Sequence, residues 1–362
     1  LTSPFLDLPG AVAGTDADSE VAAHYGNPMP EQKALAAGEA IVDLSHRGVL
    51  TITGPDRLTW LDSLTSQSIA KLAPGEASET LLLDPSGRLE HAIRLIDDGE
   101  TLWLLVERDQ AEGLASWLDR MRFMLNVEVA DRSADFATIG TLGSPAIEPA
   151  APNGVPLAWH DPWTAVGAGG HQYSTVEHHP GAGWSYTELL VPRDALPGLT
   201  ALPVAGLAAL EALRIEAWRP RMATEADDRT IPHELDWLRT AVHLNKGCYR
   251  GQETVAKVHN LGHPPRRLVM LHLDGSEGVL PARGDVVLEG EKEVGVVTST
   301  ARHYELGPIA LAVVKRSTDP EATLLVVNEE ATVAAAQEVV VPPDAGAEAD
   351  VPRLPRLGAI KR

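Results

Sequence analysis

Apolar and polar positions change period several times along the chain. Gly48–Gly54, GVLTITG, alternates and predicts a strand. Pro55 and Asp56 then open a helix, with Leu58, Leu61 and Leu64 at three-residue spacing and Trp60 beside them on one apolar face. An earlier helix is expected over about Glu31–Ala40, after an extended lead-in at 1–30 rich in Pro, Gly, Ala and Asp. ASETLLLDPSGRLEHAIRLIDDGETLWLLVE reads as three strands, with turns at Pro85-Ser86-Gly87 and Asp97-Asp98-Gly99. RDQAEGLASWLDRMRFML follows as an amphipathic helix, then strands at NVEVADR and FATIGTL.

A Pro/Gly-rich connector occupies 143–170, and beyond it WSYTELLVP reads as a strand and VAGLAALEALRIEAW as a helix. This half repeats the strand–helix texture of the first without residue-level identity. From Arg266 the helical period disappears, and five short alternating runs separated by Gly, Pro and Asp predict a small all-β barrel. The expected fold class is α+β: a first lobe at 31–142, a second at 143–265, a barrel at 266–341 and a disordered tail at 342–362. A partner-binding tail, ending in the basic RLGAIKR, is the alternative for that last segment.

The composition bounds what this fold does. A formal charge of −21 over 362 residues disfavours nucleic acid and anionic membranes as partners. No apolar run is long enough to span a bilayer, and the first thirty residues lack the basic start and apolar core of a secretory signal. A single cysteine excludes an internal disulfide framework and suggests a reducing compartment; the cytoplasm is expected.

That cysteine, Cys248, sits in Lys246-Gly247-Cys248-Tyr249-Arg250-Gly251-Gln252-Glu253, KGCYRGQE. Glycines on both sides permit sharp turns, and Lys246 and Arg250 would favour a thiolate. Local chemistry suits a displayed reactive thiol and a small buried hydrophobe equally. Lys246, Arg250, Lys257, Arg266 and Arg267 against the one acid Glu253 reverse the sign of the surrounding charge, which suggests a small polyanion pocket; a solvated surface turn is the alternative.

KGCYRGQE resembles the K-G-C-[YF]-x-G-Q-E motif of YgfZ-type folate-binding proteins, relatives of the aminomethyltransferase (T-protein) of the glycine cleavage system. DLSHRGVLTITGPDRLTWLDSLTSQ, WSYTELLVP, LEALRIEAWRP, RRLVMLHLDG and EVGVVTST resemble further family segments, in the family's order, over roughly Ile41–Val327. The resemblance implies two α+β folate-binding lobes and a barrel around a central cavity for tetrahydrofolate. By position it makes Glu188 the pterin-binding carboxylate and Arg214 a cavity arginine. From the residues alone, Glu188 is an ordinary strand glutamate sharing a face with Tyr186 and Leu190, and Arg214 forms an ion pair with Glu211 or Glu216. Aminomethyltransferases carry paired aspartates after an early G-x-[IV] turn; the corresponding run SGRLEHAIRL has Glu90 and His91. Trp218 stands where relatives usually have Gly.

The resemblance therefore implies a folate-binding accessory protein of iron–sulfur cluster assembly or repair, with Cys248 as functional thiol near the cavity mouth and iron–sulfur client or assembly proteins as partners. The alternative is a folate-dependent one-carbon transferase or demethylase with Glu90 and His91 as acid–base groups. His160, Asp161, His171, Glu177, His178 and His179 crowd a loop-rich segment without metal-ligand spacing, so solvated loop histidines rather than a metal site are expected. Gly167–Gly170 lacks both nucleotide-loop patterns.

Overall fold

The protein was analysed as a computed structural model that describes residues 2–276, 278–328 and 331–349. The chain begins with the short hairpin β1 (Val12–Ala13) and β2 (Ala22–His24), then α1 (Pro28–Ala36), β3 (Ile41–Asp43), β4 (Gly48–Thr53) and α2 (Arg57–Leu64). A meander of β5 (Ala77–Leu83), β6 (Leu89–Asp97) and β7 (Thr101–Val106) leads into α3 (Ala111–Met121), β8 (Glu128–Asp131) and β9 (Phe136–Thr141). After the connector come β10 (Ala158–His160), β11 (Thr187–Pro192), α4 (Leu196–Leu199), β12 (Val204–Ala205), α5 (Leu207–Glu216), α6 (Met222–Glu225) and α7 (Gln252–Leu261). The last strands are β13 (Arg266–Leu273), β14 (Val286–Glu289), β15 (Lys292–His303), β16 (Gly307–Lys315), β17 (Leu324–Val327) and β18 (Thr332–Val339).

These strands form two five-stranded sheets, ordered β5-β6-β7-β4-β8 and β10-β11-β9-β3-β12, and a closed barrel β13-β16-β15-β14-β17-β18. The first sheet is buried on both faces. Leu82, Ile93, Leu95, Leu102 and Leu104 pack under α2 and α3, while Leu81, Leu83, Trp103 and Leu105 point inward to the main core. That is why TLLL and TLWLLV read as continuous apolar runs. In the barrel, Val269 and Leu271 of β13 fill the interior, and Leu268 and Met270, alternating with them, join the main core. The α+β class with a C-terminal barrel is thus as expected.

The expected division at 142/143 does not separate the sheets. β3 and β9, both before it, belong to the same sheet as β10, β11 and β12, so the two sheets interleave along the chain. The lead-in is also anchored: Phe5 is fully buried, and Asp18 accepts two hydrogen bonds from Arg221 at 2.8 and 3.0 Å. At the other end, Val341 and Ala345 are buried, and the backbone N–H groups of Glu348 and Ala349 donate to carbonyls of α7 at 3.0 and 3.2 Å. Residues 342–349 are therefore packed rather than free; the rest of the expected disordered tail lies outside the described residues. Among the described residues no helix is long and apolar enough to cross a membrane.

Candidate functional site

The KGCYRGQE loop is held from several sides. Gly251 has φ +84°, and a Cβ there would lie 2.6 Å from the Asp84 carbonyl, so this glycine is required. Gly247 has open space around it, so the second glycine is not sterically demanded. The Lys246 ammonium donates to the carbonyls of Asp62, Thr65 and Gln67 at 2.6, 2.8 and 2.7 Å. Burial lowers its pKa, with Asp62 opposing. Tyr249 is buried, and the Gln252 amide donates back to the Lys246 and Gly247 carbonyls, each at 3.3 Å. Arg250 forks onto the Glu90 carboxylate and lies 5.6 Å from the Trp117 ring centre. Glu253 faces solvent. Cys248 is exposed on this rigid loop, which settles the local alternatives in favour of a displayed thiol.

The expected polyanion pocket does not form. Lys246 is spent on carbonyls, Arg250 on Glu90, and Arg266 on Asp227 and Glu234. Arg267 is buried and donates to the Thr318 carbonyl. Nearness in sequence put these cations together; the chain's turns send each to a different neighbour. None of residues 246–253 lines the central cavity, so the thiol is not at its mouth.

That cavity lies between the two sheets and α5. Glu188, the second residue of β11, is completely buried. One carboxylate oxygen, Oε1, accepts from Arg47 and from the Tyr186 hydroxyl at 2.9 Å, with Arg94 Nη1 at 3.5 Å. Its other oxygen, Oε2, has no hydrogen-bond partner among the described residues. Arg47, Arg94 and Tyr186 line a cavity of about 30 Å³ together with Asp161, Trp184, Glu211, Arg214, Arg219 and Arg221. Trp184 also lines an outer chamber of about 260 Å³, with Ala36, Leu142, Leu213 and Glu216, and so forms the partition between the two. Its indole N–H is pinned to Asp161 Oδ2 at 2.8 Å.

Arg214 faces this cavity but has nothing left to offer a ligand. Its donors go to Glu211, Glu225, Ser299 and the Arg219 carbonyl. It joins α5 to α6 and the barrel, and its pairing with Glu211 is the ion pair expected from spacing, buried rather than exposed. Trp218 adopts φ +57°, a left-handed conformation that costs a non-glycine residue about 1–2 kcal/mol. Burying the indole against His179, with its N–H 3.2 Å from Met270 Sδ, offsets that strain.

The expected acid–base pair is not in the cavity. Glu90 pairs with Arg250 at the start of β6. His91 faces α3, beside Gln110 and Gly113, and burial lowers its pKa. The β6 residues at the small cavity beside the central one are Ala92, Ile93 and Arg94. Sequence reasoning missed Arg47, Arg94, Asp161, Trp184 and Arg219. The available signal was Arg94 alternating with Ala92 in a strand otherwise buried on both faces. Among the described residues no group of three or more His, Cys, Asp or Glu side chains is arranged to hold a metal.

Residues 6–149 match the family described as the GCVT N-terminal domain, and 266–344 match the glycine cleavage T-protein C-terminal barrel domain. The chain belongs to the GcvT-like superfamily. It is 29% identical over 319 residues to an aminomethyltransferase of Synechococcus sp. (strain RCC307), covering 82% of this chain and 84% of that one. An aminomethyltransferase of Herpetosiphon aurantiacus is 29% identical over 306 residues, covering 80% and 82%. A chloroplastic Arabidopsis thaliana protein named as a transferase is 25% identical over 347 residues, covering 90% and 77%. The crystal structure of glycine cleavage system aminomethyltransferase T from Bartonella henselae shares the fold, with a TM-score of 0.73 at 18% identity, covering 93% of this chain and 95% of that one.

The GcvT family uses tetrahydrofolate. The polar groups in and behind this cavity fit a pterin edge: Arg219, in its lining, keeps a buried donor at Nη1, and Glu188, behind Arg47, Arg94 and Tyr186, keeps a buried acceptor at Oε2, both without partners among the described residues. The room does not yet match. A cavity of about 30 Å³ holds water and not a ring, so a ligand must displace Trp184 or an arginine.

Proposed function

We propose that this chain binds tetrahydrofolate in the central cavity and serves one-carbon transfer of the aminomethyltransferase type. The single observation that carries this is Glu188: a carboxylate buried among Arg47, Arg94 and Tyr186 that keeps one oxygen unspent. An unmade hydrogen bond at a buried charged acceptor is costly, and a pterin N–H supplies it. Bound tetrahydrofolate supplies ring and side-chain nitrogens that accept the one-carbon unit.

The chain's own residues do the rest. Arg47 and Tyr186 fix Glu188, so that Oε2 has one orientation. Trp184 closes the cavity against water, and its link to Asp161 must break for access. Asp161, held by the Trp184 indole N–H and by Arg219 Nε at 2.9 Å, is the carboxylate placed to take a proton inside; Glu90 and His91 are too far along β6 to do so.

Calorimetric titration of tetrahydrofolate tests the reading. Wild type is expected to bind, and Glu188→Gln to bind at least about 100-fold more weakly, because an amide replaces the charged acceptor. No binding to wild type, or equal binding by the variant, sinks it.

A second reading rests on the motif loop. An exposed thiol on a rigidly held loop, with no β6 carboxylate in the cavity, favours an accessory role of the YgfZ type in iron–sulfur cluster assembly, with client proteins as partners. Cys248→Ser separates the two. Methylene-tetrahydrofolate formation from tetrahydrofolate and methylamine donors that is unchanged in the variant supports the transferase. Cluster-dependent enzyme activity in cells that falls with Cys248→Ser, without folate turnover by wild type, supports the accessory role.

A further inference from the structure

Three arginines stand within 214–221, and their hydrogen bonding differs. Arg214 is fully engaged, and Arg221 is spent on Asp18 and Glu107. Arg219 donates from Nε to Asp161 Oδ2 at 2.9 Å and from Nη2 to Glu79 Oε2 at 2.6 Å, but Nη1 is buried without a partner among the described residues. Its guanidinium carbon lies 5.1 Å from the Trp163 ring centre and 5.9 Å from that of Trp237. Two carboxylates and two indoles leave this group no freedom to turn its spare donor elsewhere. Arg219 also lines both the cavity of about 30 Å³ and a smaller neighbour of about 10 Å³.

We infer that Arg219 reads the oxo oxygen of the bound heterocycle, and with Glu188 selects a ligand whose edge sets an N–H donor beside a C=O acceptor. The inference rests on the folate reading above and adds a specificity residue to it. The 2-amino-4-oxo edge of a pterin has this pattern: N3–H for Glu188 Oε2 and the 4-oxo oxygen for Arg219 Nη1. A 4-amino analogue sets a second donor against the guanidinium, and its ring N3, which carries no hydrogen in the neutral tautomer, faces the carboxylate, so both buried groups stay unmet. Sites built on such hydrogen bonds reject the mismatched analogue strongly.

The test titrates the full chain calorimetrically with tetrahydrofolate and with its 4-amino-4-deoxy analogue. Wild type is expected to prefer the oxo ligand by at least about 100-fold. Arg219→Gln and Arg219→Lys are expected to reduce that preference by at least about ten-fold, leaving the part that Glu188 contributes, mainly by weakening the oxo ligand, with circular dichroism confirming the fold. Binding of both ligands by wild type within about three-fold overturns the Arg219 assignment and leaves the folate reading standing. A variant that keeps the full preference also overturns it. Failure of tetrahydrofolate to bind wild type overturns both. Where Arg219→Gln does not fold, the conservative Arg219→Lys decides.

Discussion

Arg221→Met is expected to destabilise the chain by about 3–5 kcal/mol, the usual cost of removing one partner from a buried ion pair. Arg221 is almost fully buried. It forks onto Glu107 at the end of β7 at 2.9 and 3.0 Å, and onto Asp18 in the N-terminal segment at 2.8 and 3.0 Å. Glu211 of α5 lies 3.6 Å away. One side chain therefore ties the lead-in, the first sheet and the segment after α5. Without it, Glu107 keeps, among the described residues, only Arg94 at 3.7 Å as a direct ion-pair partner.

The effect should depend on pH, with a definite sign. Burial alone would raise the pKa of Glu107, but Arg221 and Arg47 outweigh it and hold it well below the usual range. Asp18 is likewise lowered: burial opposes, and hydrogen bonds from His46 and Arg221 prevail. Both folded values lie below the unfolded ones, so this stabilisation is present above about pH 4 and is lost as pH falls through the folded values. Urea unfolding at pH 7 should show the full difference between wild type and Arg221→Met, and unfolding near pH 3 a smaller one. A difference under about 1 kcal/mol at pH 7 would place this pair with ordinary surface ion pairs.

The same network explains what was legible in the sequence. The β5–β6–β7 meander could be read because its turns, DPSG and DDG, carry their own backbone chemistry. The barrel could be read because inward and outward residues alternate. The helix expected over 108–125 ends at Met121, and Phe123 takes φ +47°, which leaves Phe123 and Met124 exposed. Its apolar letters continued, but its geometry did not. The cavity was only half legible. Glu188 was found by motif position, yet the arginine that holds it, Arg47, is 141 residues away, and Asp18 is 203 residues from Arg221. A buried arginine and a surface arginine look alike in sequence until the distant carboxylate is placed. The converse misled at KGCYRGQE, where neighbouring cations share a sequence but no site.

Asp236→Asn is expected to act in the opposite direction and to stabilise the chain above neutral pH. Asp236 is completely buried in a left-handed conformation, φ +54°, which asparagine also tolerates. Its Oδ1 accepts from the Tyr173 backbone N–H at 2.7 Å, while Oδ2 has no partner among the described residues. Burial pushes its pKa up to about 7, against the pull of that hydrogen bond and of Arg239. The folded value therefore lies above the unfolded one, and the folded state retains a proton that the unfolded state has already released. Stability falls as pH rises from about 4 toward 7 and stays low beyond, by an amount on the order of 4 kcal/mol. Asparagine keeps the oxygen for Tyr173 and removes the charge. His233 and His179, whose pKa values burial lowers to about 3 and about 4, work in the other sense, losing stability in acid, but they are present in both proteins and cancel in the difference. Wild type and variant should be nearly equal at pH 4.5 and separate progressively to pH 8, the variant unfolding at higher urea. Parallel stability profiles across that range would mean that Asp236 is ionised in the folded chain at all these pH values, and that its second oxygen has found a partner.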